Sequence, residues 1–249
     1  MEADFKLYLQ YCKIYYFMRK IHFKSIVLRK KMLIGLIFSL IVAITACFLP
    51  RAISINSPKP VHTIVIDAGH GGRDGGACGA KTGVTESELN LKYAETLKGL
   101  CEEFGMRVVM TRSDMNGLYD ESAPNKKKSE MEKRKQIING SGADLMISIH
   151  MNSFPLPSSQ GAHVFYAKGS ESGFELAKSI QTSLCKSLPS ARKYVSVGDY
   201  FVLNYSTMPA VLIECGFLSC PEEEQNLVSD AYRENMCYNI LAGVMAFFQ

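Results

Sequence analysis

Five short apolar runs, each too brief for a helix, most constrain what this chain can become: residues 63–67 (TIVID), 106–111 (MRVVMT), 145–150 (LMISIH), 162–167 (AHVFYA) and 210–214 (AVLIE). Between them lie segments of helical period. Tyr93, Leu97, Leu100 and Phe104 recur along 86–104, with Gly105 where a C-terminal cap belongs. Residues 130–139 read as a helix closed by Gly140 and Gly142, and 172–188 place Phe174, Ala177, Ile180, Leu184 and Leu188 on one side. Further helices are expected from near Pro221 and Ala231. The polar stretch 112–129, with Lys126, Lys127 and Lys128, reads as a loop with a solvated face. Strands that alternate with helices need crossover connections, which predicts one α/β domain over 63–249, its twisted sheet mainly parallel and flanked by helices on both faces.

What precedes that domain is different in kind. Residues 32–49 form an uncharged apolar run, bounded by Arg29, Lys30 and Lys31 on one side and by Pro50 and Arg51 on the other. Its length is enough to cross a bilayer. Basic residues before such a segment stay cytoplasmic, so residues 1–31 read as a cytoplasmic tail, 32–49 as a transmembrane signal anchor and 50–62 as a linker. The folded domain is then expected outside the cytoplasm, attached to the membrane. Cleavage and secretion, or lipid attachment at Cys47 within Ile44-Thr45-Ala46-Cys47, are the other outcomes of such a leader. The true start at Met1, Met18 or Met32 stays open.

The formal net charge of +4 belongs to the tail, which holds eight Lys and Arg against two acidic residues. From Met32 onward acidic residues slightly outnumber basic ones, so no nucleic-acid footprint is expected on the folded part. Eight cysteines are scattered without framework spacing and read as free or buried thiols.

In a parallel sheet, ligands gather beyond the carboxyl ends of strands. Three of the predicted strands end at a candidate metal ligand or acid: the first runs into His70, the third into His150 and the last into Glu214. The glycine-rich loop GHGGRDGGACG around His70 fails as a phosphate cradle, because Asp74 stands where G-x-G-x-x-G needs glycine and Ala80 precedes Lys81. It reads instead as an open wall beside a metal ligand, through which a bulky polymer can approach, with Asp74 orienting the loop. A lone histidine at a strand end is more often a core residue than a ligand, and Glu86 equally suits a helix start, where capping and the dipole favour acids. Taken together, His70, Glu86 and His150 suit zinc, leaving a fourth position for water, as in hydrolytic rather than structural sites. Glu214, ending an apolar strand, is the candidate general base.

The segments GHGGRDGGACG, GVTESELNL, ADLMISIHMNS and PAVLIECGFLSCPEEEQNL, in that order, resemble the zinc-dependent N-acetylmuramoyl-L-alanine amidases of the type 3 cell-wall amidase family. The likeness runs from about Val61 to the C-terminus. It implies one zinc ion held by His70, Glu86 and His150, catalysis by Glu214, and peptidoglycan as substrate, cut between N-acetylmuramic acid and L-alanine. It also matches Arg134 to an arginine expected to buttress Glu214; a lone arginine there reads equally as an exposed charge on a helix. The layout is most similar to the CwlD-type sporulation amidases of the spore cortex. Cys215 and Cys220 depart from that pattern, with packing as their expected role. No insertion between Ala162 and Glu214 demands a plug opened by a regulatory protein, although such a partner is compatible with the family. A zinc peptidase or deacetylase, or an inactive peptidoglycan-binding module, are the competing classes.

Overall fold

The structure of the protein is a computed structural model, which describes residues 62–249 together with Gly35, Ile37, Ser39 and Leu40. The expected tail, the rest of the expected membrane segment 32–49 and all of the linker but His62 lie outside the described residues. Among the described residues no helix is long and apolar enough to cross a membrane. Residues 62–249 fall within one compact unit.

In chain order the elements are β1 (Thr63–Ala68), α1 (Glu86–Glu103), β2 (Arg107–Met110), α2 (Lys126–Gly140), β3 (Leu145–Asn152), β4 (His163–Tyr166), α3 (Glu171–Ser187), β5 (Ser196–Val197), α4 (Phe201–Asn204), β6 (Ala210–Phe217), α5 (Pro221–Leu227) and α6 (Asp230–Phe247). They build a six-stranded sheet in the order β2-β1-β3-β6-β4-β5. The first four strands in that order are mutually parallel, but β4 pairs antiparallel with β6 and β5 follows β4. The sheet is therefore mixed. The link from β3 to β4 carries no helix, and without a crossover a strand returns in the opposite direction.

Period-two alternation divides the side chains between two faces. Ile64, Ile66 and Ala68 of β1, Leu145, Ile147, Ile149 and Met151 of β3, and Val211, Ile213 and Cys215 of β6 enter the larger core with α1, α3 and α6. Val65, Met146, Ala210 and Leu212 enter a smaller cluster with Ile138 of α2 and Val202 and Leu203 of α4. By the same alternation Asp67, Ser148, His150 and Glu214 belong to this thinly covered face. Cys215 points the other way, into the core, so it is a packing residue despite standing beside Glu214.

Helix α1 starts as expected: Thr85 caps it by accepting from the Glu88 N–H. Phe104 departs from the helical reading, because it caps the helix end and is exposed, while Tyr93, Leu97 and Leu100 are buried. Helix α2 begins four residues earlier than the sequence pattern indicates. Asn125 caps it, and the three lysines read as loop occupy its first turn, a position where the helix dipole disfavours them. Two of those charges are answered locally, Lys126 by Glu121 and Lys127 by Asp74. The two-residue β5 and four-residue α4 are too short to leave a periodic pattern.

Candidate active site

The sheet register sets the site. His150 and Glu214 are direct partners across the parallel β3–β6 pair, and β1 delivers the chain to His70 two residues past its end. Helix α1 contributes Glu86 from its first turn, so the ligand candidates converge from a loop, a helix start and a strand. His70, Glu86 and His150 each offer a ligand atom, all within 4.8 Å of one another. Oε1 of Glu86 lies 3.1 Å from His70 Nε2 and 2.9 Å from His150 Nδ1, and the two imidazoles stand edge to face with centroids 5.0 Å apart.

Glu86 is fixed by more than its histidines. Its Oε1 accepts from the Met151 N–H at 3.2 Å, and its Oε2 accepts from the Ala77 N–H at 2.9 Å. Burial alone would raise its pKa, yet the hydrogen bonds from His150 and His70 hold it well below the ordinary carboxylate range. Burial disfavours the charged form of His70, and its contacts with Glu86 and Asp74 outweigh this to raise its pKa. The acceptor of the His70 Nδ1 proton is Asp74, at 2.9 Å. This gives His70 the orienting carboxylate that metal-binding histidines commonly have, as the loop-orienting role expected of Asp74 requires.

The glycines make room for the candidate ligands themselves. A Cβ at Gly69 would stand 2.2 Å from His150 Nε2, and one at Gly76, where φ is +68°, would stand 2.5 Å from Glu86 Oε2. The bare loop is thus first a requirement of internal packing, a reason that the open-wall reading of the sequence did not contain. His70 itself has φ +60°, the sole non-glycine residue with positive φ among the described residues, a conformation uncommon outside glycine.

Two buried arginines hold that loop. Arg112 donates to the carbonyls of Ala68, Gly69 and Ser87. Arg134 is 1% exposed and donates to Asp67, to Glu130 and to the carbonyls of Ala68 and His70. This corrects both readings of Arg134: it is no surface charge, and its partners are the His70 loop and two buried carboxylates rather than Glu214. Asp67 also accepts from Thr111 and Ser148. Burial pushes its pKa up, but the Arg134 charge and these hydroxyls bring it down to about 2. Asp67, Glu130 and Arg112 carry no local motif; an acid within an apolar strand, as at Asp67, is the only hint the sequence offers.

Glu214 is 8% exposed. Burial raises its carboxyl pKa to about 7, the neighbouring His150 pulling the other way. Its Oε2 is buried without a hydrogen-bond partner. Beside the site a cavity of about 110 Å³ is lined by His70, His150, Arg134, Tyr200 and Phe201, among others.

The chemistry of the donors fits a zinc ion: two imidazoles and one carboxylate, gathered in one place and backed by hydrogen-bonding partners. Comparison with known proteins gives the same constellation a context. The family profile for N-acetylmuramoyl-L-alanine amidases matches residues 64–246. The germination-specific N-acetylmuramoyl-L-alanine amidase of Bacillus subtilis (strain 168) is 34% identical over 189 residues, covering 74% of this chain and 79% of the relative. The CwlD amidase of Clostridioides difficile, solved in complex with the GerS lipoprotein, superposes with a TM-score of 0.72 at 35% identity, covering 75% of this chain and 98% of that one. A second amidase, from Clostridium difficile 630, gives a TM-score of 0.68 at 30% identity, covering 76% and 97% respectively. With the profile spanning most of the described fold, the chain belongs to the N-acetylmuramoyl-L-alanine amidase family.

Proposed function

We propose that this amidase is zinc-dependent, that it cuts peptidoglycan at the amide between the lactyl group of N-acetylmuramic acid and L-alanine, and that it works from the outer side of a membrane in spore-cortex maturation. The observation that carries the chemistry is the convergence of His70, Glu86 and His150 directly beside a buried, partnerless carboxylate oxygen of Glu214. His70, Glu86 and His150 would hold the ion. When bound, zinc supplies Lewis acidity, polarising a carbonyl and acidifying water.

The remaining work belongs to the protein. A general base serves best with a pKa near the working pH, and burial places Glu214 there. Its carboxylate takes a proton from the attacking water and returns it to the departing amide nitrogen. Asp74 fixes the ring of His70, and Arg134, through the His70 carbonyl, fixes its backbone. Both residues act on the site through His70.

The cortex role is supported by the similarity to the germination-specific amidase of Bacillus subtilis and to CwlD. The location is supported by the uncharged run 32–49 and its basic flank. Tail 1–31, anchor 32–49, linker 50–62 and catalytic domain 63–249 remain the proposed organisation. The presence of GerS with the Clostridioides difficile enzyme supports a lipoprotein partner here as well.

The test is incubation of residues 57–249 with purified peptidoglycan, with and without a zinc chelator, followed by mass analysis of the fragments. Free peptides beginning with L-alanine, lost on chelation and restored by zinc, are expected. Cleavage within the peptide, release of acetate, or binding without cleavage would each assign a different chemistry.

A further inference from the structure

Among the described residues, four buried side-chain polar atoms lack a hydrogen-bond partner: Asn90 Oδ1, Arg134 Nε, His163 Nε2 and Glu214 Oε2. Two of these four sit on residues that face each other directly, because His163 and Glu214 are partners in the antiparallel β4–β6 register. Side chains so opposed emerge on the same face with their Cβ atoms about 5 Å apart. Leaving a buried polar group unpaired costs about 1–3 kcal/mol. Two such atoms on facing residues mark a place where a bound molecule brings polar atoms of its own.

The order of residues across the rim of the sheet says which part of the substrate that is. Neighbouring strands lie about 4.8 Å apart, and along the rim come His150 on β3, Glu214 on β6 and His163 on β4. Glu214 hands its proton to the departing nitrogen, so that nitrogen lies within reach of the Glu214 carboxylate. The peptide attached to it must leave over β3 or over β4. The β3 side is filled by His150, Glu86 and His70, which contact one another. On the β4 side the first side chain met is His163.

The ring is suited to that contact. It packs against Phe165 at 4.3 Å and meets the exposed Tyr194 edge-on at 5.1 Å between centroids. Burial, together with the nearby Arg192 charge, lowers its pKa. A neutral imidazole has one nitrogen that donates and one that accepts, which fits the main-chain N–H or carbonyl of a peptide.

Resting on the amidase reading above, we infer that His163 binds the peptide side of the substrate, hydrogen-bonding the main chain of the first residue beyond the scissile amide. The residue has no assigned role in any motif of the sequence.

Two variants of the full-length protein test this. His163→Phe keeps an aromatic ring against Phe165 and Tyr194 but removes both nitrogens, and His163→Gln returns a donor and an acceptor. On a muramyl-L-alanyl peptide, H163F is expected to raise KM about tenfold, the equivalent of one hydrogen bond, with kcat within about threefold and bound zinc unchanged. Calorimetric affinity for a free synthetic peptide beginning with L-alanine should fall by the same factor, and H163Q should recover most of both losses. Unaltered KM and peptide affinity in H163F, a loss confined to kcat, or a loss confined to binding of the muramic-acid product would overturn the inference. Failure of the wild-type protein to release any peptide would instead count against the amidase reading, and peptide affinity of wild type against H163F would still decide the role of His163.

Discussion

In its proposed role as general base, Glu214 would serve the reaction at the expense of the fold. In the metal-free protein its carboxyl titrates near 7, against an ordinary value of 4.5, so the folded state holds a proton that the unfolded state releases earlier. Stability is therefore lost as pH rises from about 4.5 to about 7, and the full penalty, about 3 kcal/mol, persists above that window. Glu214→Gln carries no such penalty. Metal-free E214Q is expected to match the wild type near pH 4.5 and to unfold at higher temperature at pH 8, while its zinc-loaded form retains the metal and loses at least about a hundredfold in hydrolysis. Thermal melts at the two pH values and a turnover assay check this; a variant that stays active removes Glu214 from the proton chemistry.

Helix α2 contributes to the site through what it holds rather than through a group that reacts. Arg134, paired with Glu130 one turn earlier, reaches Asp67 near the end of β1 and the carbonyl of His70. Arg134→Met would leave two carboxylates buried without their cation, a change that typically costs about 3–5 kcal/mol. For a domain of this size that is a fall of roughly 10 °C in melting temperature. Zinc affinity should drop at least about tenfold with it, because the His70 carbonyl loses its anchor. Calorimetry and a zinc titration on R134M read both effects, and an unchanged melting temperature would show that the buried pair is not holding the loop. This element also marks where the sequence stops being legible. His70, Glu86, His150 and Glu214 could be found because each terminates or opens an apolar or helical pattern. The role of Arg134 could not, since a charged side chain facing inward has the same local pattern as one facing water. The start of α2 was hidden for a related reason: three lysines in a first turn contradict the dipole preference, and the two acids that answer two of them, Asp74 far back in the chain and Glu121 in the preceding loop, are not part of the helical pattern.

At the scale of the whole chain, the alternation of strands and helices conveyed the layered α/β architecture and the rim where the site lies. It did not convey the direction of β4, which depends on a connection lacking a helix and not on the strand's own composition. The proposed anchor gives the molecule a second part to test. The full chain is expected to sediment with membranes and to resist extraction by high salt, whereas residues 57–249 should remain in the supernatant; a full chain released by salt alone would remove the anchor. The reversal of β4 has a separate consequence. Where β1, β3 and β6 finish, β4 begins, so the segment 153–162 that feeds it borders the same opening as the ligand-bearing loops while holding none of the proposed zinc ligands. Residues 153–160 of that segment are mostly exposed, so a change of length or composition there would leave the proposed zinc ligands in place, whereas buried Gly161 and Ala162 fix the entry into β4.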